Sequence, residues 1–150
     1  MITDSRSAPA ADDLSTAASD LRMATFRLAR RLRAQRAVDT MSDGQFAVLA
    51  HLKIHGPQTL TQLAERENVT APSMNRIVNS LEDSGWLTRT ADDTDRRKVN
   101  IAVTETGRAV VEETVRRRNA WLEAALADLA PAERALLADA AQLMRQVADR

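Results

Sequence analysis

Three groups of side chains in this sequence have types and spacings that could do chemistry. The first is Ser73, Asn75, Arg76 and Asn79, interleaved with Met74, Ile77, Val78 and Leu81. Helical spacing turns the apolar four to one side, so the polar four occupy other faces. Such residue types donate to phosphates or read base edges in a major groove. The second is the run Asp95-Arg96-Arg97-Lys98, which closes a polar stretch from Ala91 holding three acids and three bases. Acids ahead of its tip can hold one Arg while another projects. The third is His51 and His55, four apart and therefore on one helical face. Two such His can ligate a metal, but further ligands are required and no carboxylate or thiolate constellation stands nearby. They are expected to be structural or surface groups, with the border of a ligand pocket as the other option.

Other chemistry is poorly represented. Glu112 and Glu113 are adjacent on a helix and do not face each other, so they make no catalytic dyad. There is no Ser-His-Asp grouping, Gly-rich phosphate loop or zinc-protease motif. The expectation is a protein that is not an enzyme and carries no cofactor or metal. Absence of Cys excludes disulfides, thiol nucleophiles and cysteine redox sensing. The 21 basic and 21 acidic residues cancel, so only local placement of charge can argue for a polyanionic partner. Of the basic residues only Lys53 and Lys98 are Lys. No stretch approaches the roughly 18 apolar residues a membrane span needs, and the N-terminal residues do not resemble a secretory signal. A cytoplasmic location is expected.

The elements that must position these groups can be read from punctuation and period. At 150 residues, one domain with its own core is expected. Residues 1–12 read as a flexible tail. Leu14, Ala18, Leu21, Thr25, Leu28 and Leu32 then alternate by four and three, a heptad-like stripe, with Arg27, Arg30, Arg31 and Arg33 opposite. Ser42 with Gln45 and Thr59 with Gln62 fit capping boxes. The first opens a helix with Phe46, Leu49 and Leu52 inward, ended by Gly56-Pro57; the second opens a short helix burying Leu60, Leu63 and Ala64. Asn68 suits a left-handed turn and Val69 a buried position. Thr70 caps the helix that carries Asn75, and Gly85 ends it. Two helices joined by so short a turn form a helix-turn-helix.

After Gly85 the period shortens. Trp86 to Arg89 suits one strand, and Val99, Ile101 and Val103 alternate as the next, so the polar stretch becomes a hairpin tip. Thr104 and Gly107 mark the junction to a long helix from about Glu105, interrupted at Pro131. Leu136, Ala140, Leu143 and Val147 form another narrow seam. A helix-turn-helix followed by a hairpin is a winged helix. Apolar stripes at both chain ends need partners that one short chain does not supply, which predicts a homodimer. The fold class is therefore mainly α with a small β-hairpin.

This pattern resembles the MarR family of winged helix-turn-helix transcription regulators. The resemblance is carried by Ser73 to Glu82, by Gly85-Trp86-Leu87, and by the segment from Asp95 to Gly107. That segment is similar to the family pattern D-x-R-x5-L-T-x-x-G, with Val103 in place of Leu, while Asn75 stands where the family often has Thr. It implies a winged helix-turn-helix over about 42–104 within a domain over 13–150, and dimerisation helices over about 13–36 and 105–149. It also implies a homodimeric, ligand-responsive repressor on palindromic double-stranded DNA, with a small aromatic or lipophilic ligand. Ser73, Asn75, Arg76, Asn79, Arg96, Arg97 and Lys98 are the expected DNA contacts. Arg96 would enter the minor groove and Arg97 would pair with Asp95, which orients the wing. The alternative is a winged-helix protein-interaction module without specific DNA binding, which the zero net charge favours.

Overall fold

The computed structural model describes residues 11–150. Helix α1 (Ala11–Ala34) starts two residues before the sequence places it, taking Ala11 and Asp12 out of the expected tail; the remainder of that tail lies outside the described residues. Two compact units result, the first ending at Ala34 and the second beginning at Gln35. The first unit is α1. Its Leu14, Leu21 and Leu28 are exposed, and so are Met23 and Phe26, which lie off the expected stripe.

The second unit runs α2 (Asp43–His55), β1 (Gln58–Thr59), α3 (Leu60–Arg66), α4 (Ala71–Asp83), β2 (Leu87–Ala91), β3 (Val99–Val103), α5 (Glu105–Ala127) and α6 (Pro131–Ala148). Local chemistry explains most of these limits. The Ser42 and Thr59 hydroxyls accept from the backbone N–H of Gln45 and Gln62, whose side chains accept in return from the two cap N–H groups. Both capping boxes therefore form as the sequence predicts. Thr70 caps α4 through the Ser73 N–H, and Pro72 sits in its first turn, where no helical N–H is lost. Asn68 adopts φ 51° in the turn between α3 and α4. Val69, expected to be buried, is exposed: the turn folds its backbone back to the Ala64 carbonyl and leaves the side chain outside.

The core is one cluster. Val48, Leu49 and Leu52 of α2 meet Leu63 of α3, Met74, Val78 and Leu81 of α4, Leu87 of β2, and Ile101 and Val103 of β3. Phe46 and Ile77 cover its margin. The hairpin is antiparallel with Arg89 opposite Ile101, and a third strand joins it. Strand β1 pairs with β3, Gln58 against Ile101, so β3 is central and the wing is hydrogen-bonded to the start of α3. A two-residue strand has no readable period, which is why sequence patterning shows only the hairpin.

The T-x-x-G junction has a steric reason. The Thr104 hydroxyl accepts from the Gly107 N–H at 3.1 Å and donates to the Gly85 carbonyl at 2.7 Å. This draws the first turn of α5 onto the chain entering β2. A Cβ at Gly107 would collide with the Trp86 carbonyl oxygen and come within 2.8 Å of Val103. Further along α5, Glu112 pairs with Lys53 of α2 at 3.2 Å. The buried Thr114 hydroxyl accepts from the Ala37 N–H. Hydrogen bonds from Arg116 and Arg117 hold the Glu113 carboxyl down to about 2. No residue of helix α6 is buried among the described residues: Leu136, Leu143 and Val147 are each about 60% exposed or more.

Candidate nucleic-acid interface

Helix α4 is built to show one side to water. Met74, Val78 and Leu81 are fully buried, while Asn75, Arg76 and Asn79 are exposed and Ser73 is half-buried. The Ser73 hydroxyl accepts from Thr70 at 3.0 Å, which ties it to the helix cap. Gln45, besides capping α2, donates from Nε2 to the Ser80 hydroxyl at 2.9 Å. Helix α4 is thereby fixed to α2 by side chains as well as by the core.

A residue the sequence reasoning missed braces the same helix from the wing. Arg89 of β2 donates to Asn75 Oδ1 at 3.1 Å and to Asn79 Oδ1 at 2.8 Å, and it forms an ion pair with Glu82. The signal was available in the strand period. Leu87 and Arg89 point to the same face as their buried cross-strand partners Val103 and Ile101, so Arg89 arrives over α4 and not in solvent.

At the wing tip, Asp92 is the organising acid. It accepts from the Thr94 N–H and hydroxyl, the Asp95 N–H and the Asn100 side chain. Those four donors, led by the Thr94 hydroxyl, hold its carboxyl far below the usual range. Asp95 accepts from the Arg97 backbone N–H at 3.1 Å and from its Nε at 3.2 Å. Arg96, at the crest, is exposed and makes no ion pair among the described residues. Lys98 is exposed; with Arg97 and Val99 it lines a shallow cleft against Thr59, Leu60 and Thr61 at the start of α3. The wing thus places cationic side chains beside the helix-turn-helix.

His51 is buried and His55 exposed, with ring centroids 4.4 Å apart. Burial, then the nearby Arg66 charge, lowers the His51 pKa. No group of three potential metal ligands occurs among the described residues. None of the described helices is long and apolar enough to cross a membrane.

Comparisons with known proteins agree with this architecture. The MarR family model matches residues 41–99, from the start of α2 into the wing. An HTH-type transcriptional regulator of Mycobacterium bovis is 39% identical over 132 residues, covering 88% of this chain and 92% of that protein. The crystal structure of a candidate transcriptional regulator of Pseudomonas aeruginosa superposes with a TM-score of 0.82 at 30% identity, covering 94% of this chain and 99% of that one. The regulator BpsR of Bordetella bronchiseptica, solved in work on regulation of its DNA binding by 6-hydroxynicotinic acid, superposes at 0.64 with 26% identity, covering 89% and 93%. Helix-turn-helix, wing and relatives converge: this chain belongs to the MarR family and is a DNA-binding transcription regulator.

Proposed function

We propose that the chain acts as a homodimeric, ligand-responsive repressor on a pseudo-palindromic operator. The observation that carries this is the division of α4, whose apolar side is sealed in the core while Asn75, Arg76 and Asn79 stand in water. Ser73, Asn75, Arg76 and Asn79 serve the major groove, and Arg96, Arg97 and Lys98 the minor groove and flanking phosphates. Asp95 orients the wing through Arg97. The exposed apolar faces of α1 and α6 supply the surface that a second copy covers. Repression is the consequence where the operator overlaps a promoter, since a dimer bound there obstructs it.

Release by a small aromatic or lipophilic molecule is supported by the likeness to BpsR and by the absence of Cys, which removes thiol oxidation as a signal. Salicylate titrated into a preformed complex is the probe.

The deciding experiment is selection of bound duplexes from a random pool by the full chain. The expected result is a palindromic consensus whose half-sites lie about 34–36 Å apart, one helical turn. Recovery of no consensus would favour a protein-interaction module.

A further inference from the structure

Arg89 contacts the two side chains of α4 best suited to reading bases. Its guanidinium carries only donors, so the amide atoms of Asn75 and Asn79 that face it are their oxygens. Each amide therefore turns its NH2 group away from Arg89. The Glu82 carboxylate pairs with the same guanidinium and keeps it over the helix. The three acceptors come from three positions of α4 on one side, spaced four and three apart, so a single strand residue serves all of them.

This arrangement bears on which bases the helix prefers. Adenine presents one acceptor and one donor in the major groove, and an Asn reads it by using oxygen and NH2 together. Guanine presents two acceptors, N7 and O6. An amide whose oxygen accepts from a guanidinium has its NH2 polarised as a stronger donor; the oxygen keeps a second lone pair, but the guanidinium beside it hinders the approach of another donor. Thymine offers one acceptor, which makes guanine the best match.

We propose that Arg89 is a specificity-determining positioning residue: by holding the Asn75 and Asn79 oxygens it turns both NH2 groups outward and biases the two side chains toward donating, which favours guanine over adenine. This rests on the DNA-binding reading above and refines it.

The test uses the full chain and duplexes selected from a random pool. Guanine is expected at the half-site position whose preference Asn75→Ala abolishes. Replacing that guanine by 7-deazaguanine, which exchanges the N7 acceptor for C–H, should weaken binding about tenfold. Arg89→Lys retains a donor and should keep the guanine preference. Arg89→Met keeps an aliphatic stem but frees both oxygens, and should shift the guanine-to-adenine ratio about tenfold toward adenine. Asn75→Asp leaves an oxygen facing Arg89 and removes only the outward donor, so it should fold and lose the preference at that one position. Adenine at that position in the wild type overturns the proposal, as does Arg89→Met weakening all sequences alike with the ratio unchanged. Should Arg89→Met not fold, a guanine preference retained by Asn75→Asp overturns it. A pool that yields no enriched duplex overturns the DNA reading itself and is distinguishable from all of these.

Discussion

Arg96 and Arg97 are neighbours with opposite fates. Both are exposed, but Arg97 bonds to Asp95 through its backbone N–H and its Nε, while Arg96 at the crest makes no ion pair among the described residues. A cation kept clear of internal partners enters a narrow minor groove without first breaking an ion pair, and that groove's code is degenerate. Arg96→Ala is therefore expected to weaken operator and scrambled duplexes alike and to lower the salt dependence by about one unit per lost phosphate contact. Binding across a salt series checks this; unchanged affinity and slope on both duplexes would remove the wing from the interface. His51 supports a prediction of another kind. Burial holds its folded pKa below the ordinary 6.5, so as pH falls through that value the unfolded chain takes up a proton that the folded chain resists. Stability should drop in mildly acidic buffer, and His51→Asn should flatten that drop in thermal melts. Arg96 and Arg97 could be picked out from sequence, because the wing tip is a local run of charges. Arg89 escaped because its partners Asn75, Asn79 and Glu82 lie in a different element and only the register of β2 brings them together.

Caps and turns are the elements' most legible features, since each is decided within four residues. Ser42, Thr59 and Thr70 cap as their spacing predicts, Thr104 at the expected junction proves to cap α5, and Gly85 takes φ 76° where α4 gives way to β2. What sequence could not show is contact between elements. The pairing of Gln58 with Ile101 and the Gln45 to Ser80 bond each depend on a neighbour distant in sequence, and the outward Val69 on how the turn after α3 closes onto the Ala64 carbonyl. Gly107 is the exception that joins the two kinds. Its motif is visible in sequence, and its cause is the close approach of α5 to the Trp86 carbonyl. Gly107→Ala must push α5 off that carbonyl or unseat Thr104, at a cost of roughly 3 kcal/mol. A denaturant melt should show the loss, whereas Ala at the exposed Thr106 of the same turn should change little.

For the whole molecule, the strongest feature is apolar surface that no part of the second unit covers. Leu136, Leu143 and Val147 repeat along α6 and stand in water. Leu136→Asp combined with Leu143→Asp should convert a dimer to a monomer in light scattering while leaving the far-ultraviolet spectrum helical, because α6 contributes nothing to the core. A folded wild-type monomer at micromolar concentration would refute the proposed assembly. Another whole-molecule consequence follows from the bracing of the second unit. Helix α4 is pinned to α2 by Gln45 and to the wing by Arg89, and the wing is laced to the start of α3 through β1. In the proposed DNA-binding mode these braces resist relative movement of the two prongs, α4 and the wing, which shifts adaptation toward the duplex. Compliance then resides in the nucleic acid, and base steps lying between the prongs, touched by neither, acquire a say in affinity. Easily kinked pyrimidine–purine steps should be favoured there and stiff A-tracts penalised, a preference written in the mechanics of the double helix.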